Sequence, residues 1–158
     1  MGLEIERKYL VKNDSWRGLG TPVSLRQGYL CLDPKRVVRV RAAGNKGTIT
    51  IKGKTQSLAR TEFNIPISRE DADAMMDSLA LRPLIEKNRT CIPFAGHIIE
   101  VDEFFGENAG LIVAEIELES ETEHVDLPEW IGQEVTGDPR YLNANLIRNP
   151  YSAWKQRG

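Results

Sequence analysis

The chain has 158 residues, of which 41% are hydrophobic, and a formal net charge of −2. This length is typical of one domain, residues 1–158, with a core that needs no disulfide or structural metal. The near-neutral charge excludes a general binding surface for nucleic acid or an anionic membrane. No apolar run approaches the roughly 20 residues of a membrane span, and the charged first ten residues are unlike a secretory signal. We therefore expect a cytoplasmic protein without nucleic-acid or membrane partners.

Eight segments of alternating apolar and polar residues predict β-strands, separated by turn-forming Gly, Asn, Asp and Pro. In chain order they are residues 3–12, 24–32, 36–43, 47–53, 60–67, 84–92, 97–105 and 111–119. Ser68, followed three residues later by Asp71, predicts the start of a helix that continues to Pro83. A short helix is predicted over 140–148, and a last helical segment carries Trp154. Eight strands with few helices predict a mainly antiparallel barrel or sandwich.

The predicted strands share an unusual feature, because one face of each is ionisable. Side chains alternate between the two faces of a strand, so Glu4, Glu6 and Lys8 project to one side. The same spacing recurs in Arg39 and Arg41, Lys52 and Lys54, Arg60 and Glu62, Lys87 and Arg89, Glu100 and Asp102, and Glu115, Glu117 and Glu119. The sign of charge is segregated as well, since most of these strands are wholly basic or wholly acidic.

Two arrangements satisfy this pattern. In the first, the charged faces point to bulk water and the apolar faces pack together as a sandwich. In the second, the sheet closes into a barrel whose lumen carries the charges. Burying so many ions dry would cost several kcal/mol each, so the barrel requires a wet cavity built for a charged ligand. Acidic clusters favour a divalent cation and Lys/Arg clusters favour phosphate, so the two together indicate a metal–polyphosphate complex.

An ordered series of motifs resembles the CYTH, or triphosphate tunnel metalloenzyme, superfamily. It opens with ExExK at residues 4–8 and continues through LRQGYL, VVRVR, TITIKG, RTEFN, IEKNR, EVDEF, AEIEL and EVTGDPRYLNANL. ExExK alone is a weak signal, because any charged strand supplies it, but the ordered set spans essentially the whole chain. The resemblance implies an α+β, mainly β fold: an eight-stranded antiparallel closed barrel, the triphosphate tunnel, with peripheral helices. It also implies hydrolysis or cyclisation of triphosphates with Mg²⁺ or Mn²⁺ as cofactor.

The resemblance further implies roles for individual residues. The activating metal would be bound by Glu4, Glu6 and Glu117, and a second metal or its waters by Asp102 and Glu115. The triphosphate would be bound by Lys8, Arg39, Arg41, Lys52, Lys87 and Arg89, with Glu62 supporting these cations by pairing with them. The residues implied to be catalytic are Glu4, Glu6, Lys8, Asp102, Glu115 and Glu117.

The sequence departs from the family pattern in two places. Asn64 stands where relatives often have a second acid, which weakens the pairing network of that strand. The stretch YLNANLIR has no lysine, although many relatives place one in this helix, where it reaches the tunnel; Arg140 and Arg148 are the nearby basic residues. Supporting salt bridges are the expected role of Lys54, Arg60, Glu100 and Glu119.

Three functions satisfy these observations. The first is a phosphoric-anhydride hydrolase, a triphosphatase acting on inorganic tripolyphosphate or on nucleoside triphosphates. A class IV adenylate cyclase-like enzyme shares the fold but needs a base-binding contribution that the sequence does not show. A non-catalytic polyphosphate-binding module would not need the intact acidic set. No aromatic residue falls on the charged faces beside the basic strands as a stacking platform, so we expect tripolyphosphate to be preferred over ATP. Both a monomer and a homodimer are compatible with the sequence.

Overall fold

The computed structural model describes residues 2–54, 56 and 59–154, and most of this part of the chain is β-structure. The strands are β1 (Gly2–Val11), β2 (Val23–Cys31), β3 (Arg36–Ala43), β4 (Lys46–Gly53), β5 (Ala59–Ser68), β6 (Ile85–Phe94), β7 (His97–Phe104), β8 (Ile112–Glu117) and β9 (Ile131–Glu134). The helices are α1 (Arg69–Ser78), α2 (Asn143–Arg148) and α3 (Tyr151–Trp154), with single 3₁₀ turns at Gly106–Asn108 and Pro139–Tyr141. No helix in the described ranges is long and apolar enough to cross a membrane.

Eight strands close into an antiparallel barrel. Neighbours follow the order β5-β4-β3-β2-β6-β7-β8-β1, and the ring is completed where β1 pairs with β5. The two partners of β1 divide its length, since Gly2 to Ile5 pair with β5 and Glu6 to Leu10 pair with β8. The predicted closed barrel is therefore confirmed, and the sandwich with solvated charged faces is wrong.

The ninth strand lies outside the barrel and has no counterpart in the sequence prediction. β9 pairs with β1 at Tyr9 and Val11, beyond the stretch that pairs with β5. Backbone hydrogen bonds from Lys12 to Trp130 (2.8 Å) and from Val135 to Lys8 (2.8 Å) hold its two ends. Four residues are too few to show an alternating pattern, so only tertiary pairing reveals this strand.

Helix α1 covers part of the outer, apolar face of the barrel. The Ser68 hydroxyl accepts a hydrogen bond from the Asp71 N–H at 3.0 Å, which confirms the predicted helix start. Ala72 and Met76 are fully buried against the outward side chains of β3. The helix ends at Ser78, earlier than predicted, because the Leu81 N–H donates to the Tyr29 carbonyl (2.9 Å) and the chain joins β2.

One end of the lumen is filled by apolar side chains. These share the inward strand faces with the polar and charged residues of the lumen, and each lies two positions before or after one of them: Tyr29, Val37, Ile85, Phe104 and Val113. Leu146 and Ile147 of α2 pack against them, and both are buried. The inward faces of the strands are thus charged along one part of the barrel and apolar at the end that α2 covers.

Candidate active site

The charged part of the lumen encloses a cavity of about 530 Å³. Eleven of the twelve site residues expected from the sequence line it: Glu4, Glu6, Lys8, Arg39, Arg41, Lys52, Glu62, Lys87, Arg89, Glu115 and Glu117. Lys54, Arg60 and Glu100 line it too, whereas Glu119 follows the end of β8 and is exposed. The face alternation therefore places these side chains together, as a charged barrel lumen requires.

The cavity has a basic wall and an acidic wall. Going around the barrel, β4, β3 and β6 carry the inward cations, and only the neutral inward side chains of β2 interrupt them. The acids follow on β7, β8, β1 and β5, where Lys8 and Arg60 are the basic exceptions among the lining residues. The basic strands of the sequence thus form one half of the barrel and the acidic strands form the other half.

On the acidic wall, β1 and β8 bring carboxyl groups into contact. Glu6 and Glu117 are direct cross-strand partners, as are Lys8 and Glu115. The Lys8 ammonium lies 3.8 Å from both Glu6 and Glu115, and these two carboxyls share a hydrogen bond. Such a contact requires a proton, because two carboxylates repel each other.

The pKa values of the two carboxyls move in opposite directions, which favours Glu6 as the protonated partner. Burial, and next the negative charge of Glu115, raise the pKa of Glu6 from 4.5 to about 9. Burial acts in the same direction on Glu115, but Lys8 and Arg89 outweigh it and hold its pKa well below the ordinary value. Burial also raises the pKa of Glu4 against the opposing effect of Lys52, whose ammonium is 3.2 Å away.

Asp102 lies behind the cavity wall rather than at its surface. Its carboxylate is fully buried, 2.7 Å from the Lys87 ammonium, and accepts two hydrogen bonds from Arg89 at 2.8 and 2.9 Å. Burial opposes its ionisation, but Lys87 and Arg89 hold its pKa below the ordinary value. Burial in turn lowers the pKa of Lys87 to about 7, with a further contribution from the charge of Arg89. The contacts of Asp102 are those of an ion-pair partner for two cations.

The middle of the basic wall carries charge that no acid neutralises. Among the described residues, neither Arg39 nor Arg41 has an acidic group within ion-pair distance. Arg39 donates to the Thr50 hydroxyl at 3.1 Å, and its Nε–H is buried without a hydrogen-bond partner. Burial and the neighbouring charges of Arg39 and Arg89 lower the pKa of Arg41 to about 10. Uncompensated guanidinium groups in a cavity are the chemistry of an oxyanion site.

The acidic wall fits a hard divalent cation. In the described ranges no three acidic, His or Cys side chains are already grouped as a metal site. The donors nevertheless are carboxylates on adjacent strands, which is the ligand type that Mg²⁺ and Mn²⁺ take. The proton shared by Glu6 and Glu115 relieves the same repulsion that a divalent cation would relieve, which supports the fit.

Several neutral residues of the cavity were missed by the sequence analysis, which followed charge. Tyr29 of β2 lines the cavity, and the fully buried Gln27 has the same inward parity. Both could have been found from the alternation of LRQGYL. Tyr29 is paired with Arg39 across β2 and β3, so an aromatic residue does lie beside a basic strand, although its ring is buried and offers no open stacking platform. Asn143 and Asn145 reach the cavity from α2, where no strand pattern applies.

Neither arginine near the lysine-free helix supplies the charge that is absent from YLNANLIR. Arg140 pairs with Asp138 at 2.7 Å and stacks over the Trp154 ring at 5.0 Å, away from the lumen. Arg148 is exposed at the end of α2. The side chain that this helix contributes beside Lys87 is Asn143, a neutral amide.

The CYTH domain family model matches residues 2–151. The chain is 46% identical over 156 residues to an inorganic triphosphatase of Acetivibrio thermocellus, covering 99% of this chain and all of that protein. It is 34% identical over 147 residues to an inorganic triphosphatase of Nitrosomonas europaea, covering 90% and 95%. A crystal structure of an inorganic triphosphatase superimposes with a TM-score of 0.66 at 33% identity, covering 90% of this chain and 96% of that one. With this match over nearly its whole length, the chain belongs to the CYTH domain family.

Proposed function

We propose that this protein is a metal-dependent inorganic triphosphatase that hydrolyses tripolyphosphate inside the barrel. The observation that carries the proposal is the two-walled cavity, in which unpaired Arg39 and Arg41 face a wall of carboxyl groups. In an anion with a bound divalent cation, the anion complements the basic wall and the cation complements the acidic wall. An anion without a cation complements the basic wall alone. The two similar proteins named inorganic triphosphatase support the same reaction.

The basic wall binds and positions the phosphate chain. A triphosphate carries about four to five negative charges, and transfer of its terminal phosphoryl group depends mainly on positioning and charge neutralisation. Arg39 offers the buried Nε–H that has no protein partner, and Arg41 and Lys52 flank it on β3 and β4. Lys87 and Arg89 are held by Asp102, so they meet the substrate in fixed positions.

The acidic wall would hold the cation, which we propose to be Mg²⁺ or Mn²⁺. When bound, such an ion neutralises phosphate charge and lowers the pKa of a coordinated water. Glu4, Glu6 and Glu117 are the residues that we assign to it, with Glu115 beside them. Lys8 stays between Glu6 and Glu115 and limits their repulsion. We assign Asp102 to orienting Lys87 and Arg89, because its oxygen atoms are already engaged there.

The walls also favour a substrate without a nucleoside. Most of the cavity lining is ionisable, so binding energy comes chiefly from phosphate oxygens. Tyr29 is 4% exposed and packs into the apolar end of the lumen, which leaves little of its ring for stacking on a base. Pyrophosphate is too short to engage both walls together. The expected order of substrates is therefore tripolyphosphate, then ATP, with pyrophosphate last.

The test is phosphate release from tripolyphosphate, pyrophosphate, ATP, GTP and thiamine triphosphate, each with Mg²⁺, Mn²⁺ or EDTA. We expect turnover that requires the metal and a kcat/KM highest for tripolyphosphate. Arg41→Met should lose most of the kcat/KM for tripolyphosphate, whereas Arg148→Met, a substitution of an exposed residue, should keep it. A higher kcat/KM for ATP would overturn the substrate order, and cyclic AMP as product would replace hydrolysis with cyclisation. Absence of metal-dependent phosphate release from the whole panel would overturn the proposed function.

A further inference from the structure

A continuous chain of hydrogen bonds and one ion pair joins three cations of the basic wall. From one end, the Arg41 Nε–H donates to Gln27 Oε1 (2.9 Å), and the Gln27 amide donates to Asn143 Oδ1 (3.0 Å). Lys87 Nζ donates to the same Asn143 oxygen at 2.8 Å. From Lys87 the chain continues through Asp102 to Arg89. Six side chains from four barrel strands and one helix are linked in this way.

Asn143 is the central member and the one that does not come from the barrel. Its single amide oxygen accepts two hydrogen bonds, one from a neutral amide and one from a buried ammonium. Gln27 and Lys87 are 0% and 2% exposed, so neither donor has bulk water as an alternative partner. Loss of the Asn143 oxygen would therefore leave both buried groups short of an acceptor.

The position of Asn143 is set by the apolar end of the lumen. Leu146 and Ile147, three and four residues further along α2, are buried among the lumen-facing side chains of the barrel. These contacts place the first residue of the helix over the Lys87 ammonium. The same ammonium also contacts the Asp102 carboxylate at 2.7 Å, and the Phe104 ring centroid is 5.2 Å away. Lys87 is thus fixed by the barrel and by the helix together.

We propose that Asn143 is a positioning residue for triphosphate binding, which acts by holding the Lys87 ammonium toward the cavity. The inference rests on the proposed function, since it takes a triphosphate as the ligand. The physical reason is that a neutral hydrogen-bond acceptor orients the Lys87 ammonium without cancelling its charge. A carboxylate at this place would orient Lys87 equally well but would add negative charge to the wall that receives phosphate.

The test is a double-mutant cycle on tripolyphosphate binding, measured by calorimetry in EDTA so that no turnover is required. The proteins are wild type, Asn143→Ala, Lys87→Met, the double variant, and Asn149→Ala as an exposed control at the end of the same helix. Alanine is a good helix former and keeps α2, and Asp102 keeps Arg89 as partner when Lys87 is replaced. Thermal unfolding of each variant checks that the fold persists.

We expect Asn143→Ala to weaken tripolyphosphate binding about tenfold, as loss of one hydrogen bond to a charged group does. Asn149→Ala should bind as wild type does. In the Lys87→Met background, Asn143→Ala should change the affinity less than about twofold, because the group on which Asn143 acts is gone. A merely structural role for Asn143 would give equal factors in both backgrounds.

Two results would overturn the inference: unchanged affinity in Asn143→Ala, or the same loss with and without Lys87. Either leaves the proposed function intact, provided that the wild type hydrolyses tripolyphosphate. Conversely, a wild type that binds tripolyphosphate without hydrolysing it contradicts the proposed function while the cycle still tests Asn143. Absence of tripolyphosphate binding by the wild type would overturn both.

Discussion

Replacement of Glu6 by glutamine should stabilise the metal-free protein while it abolishes turnover. The substitution keeps the shape of the side chain and removes the charge. In the folded protein the Glu6 carboxyl is 21% exposed and in contact with Glu115, and burial together with that charge raises its pKa to about 9. The glutamine amide can still donate a hydrogen bond to the Glu115 carboxylate, and the variant keeps this contact without having to bind a proton on folding.

The magnitude follows from the difference in pKa between the unfolded and folded states. Between pH 4.5 and about 9, Glu6 is ionised in the unfolded chain and protonated in the folded protein. The folded state binds more protons in this window, so the wild-type free energy of unfolding falls as pH rises through it. At pH 7 the part of this window already crossed, from pH 4.5 upward, corresponds to a loss of about 3 kcal/mol. Rearrangement of Lys8 and Glu115 reduces this figure, and we expect Glu6→Gln to gain about 1–3 kcal/mol.

The assay is urea unfolding of both proteins in EDTA at pH 4 and pH 7, with the exposed Glu129→Gln as matched control. The stability gap between Glu6→Gln and wild type should be small at pH 4 and open toward pH 7, since glutamine does not titrate. Added Mg²⁺ should stabilise the wild type more than the variant. Equal stabilities at pH 7, or a gap independent of pH, would refute the reasoning.

Three further substitutions separate the parts of the cavity. Glu117→Gln should abolish metal-dependent phosphate release with an unchanged circular dichroism spectrum, and near-normal turnover would remove Glu117 from the metal site. Asp102→Asn should cost about 3–5 kcal/mol in urea unfolding, because it leaves buried Lys87 without its counter-ion and, among the described residues, Arg89 with only Glu100 at 3.5 Å; a cost under 1 kcal/mol would contradict this role. Arg41→Met should weaken tripolyphosphate binding at a much smaller cost in unfolding free energy than Asp102→Asn, since no acid in the described part of the chain pairs with Arg41 and only the buried Gln27 oxygen loses a donor. A stability loss like that of Asp102→Asn would contradict the assignment.

The barrel strands could be predicted because alternation is a property of the backbone. Side chains of a strand must project to opposite faces, so apolar and ionisable residues at alternate positions identify the strand and its orientation together. The pattern carries no information about what fills each end of the lumen. Val37 and Ile85 share parity with Arg39 and Lys87, yet they pack against α2 in an apolar end. The boundary between the charged and the apolar part of the lumen depends on where α2, which follows the barrel strands in the sequence, packs against the barrel.

The charged residues that line the cavity could be predicted from the sequence, whereas how deeply each is buried could not. Asp102 has the correct parity, but its cross-strand partner is Arg89, and Lys87 lies two residues from Arg89 on the same strand. Because the Asp102 carboxylate contacts both of these cations, it is buried behind them and does not line the cavity. Gln27 and Asn143 were missed for a different reason: a neutral amide has no charge to mark it in a sequence, and its importance is visible only in its hydrogen bonds.

The placement of ion pairs explains how one barrel holds so many charges and still binds a ligand. The pairs occur chiefly where the two walls meet: Lys52 with Glu4 and Glu62 on one side, and Lys87 and Arg89 with Asp102 on the other. If basic and acidic strands alternated, every cation would have such a partner, and a triphosphate would have to displace them all. Segregation instead leaves Arg39 and Arg41 without acids at the centre of the basic wall, with Glu6 protonated across the cavity. The ion pairs at the two borders between the walls therefore stabilise the metal-free fold. The middle of each wall holds the charge that a metal–triphosphate complex neutralises.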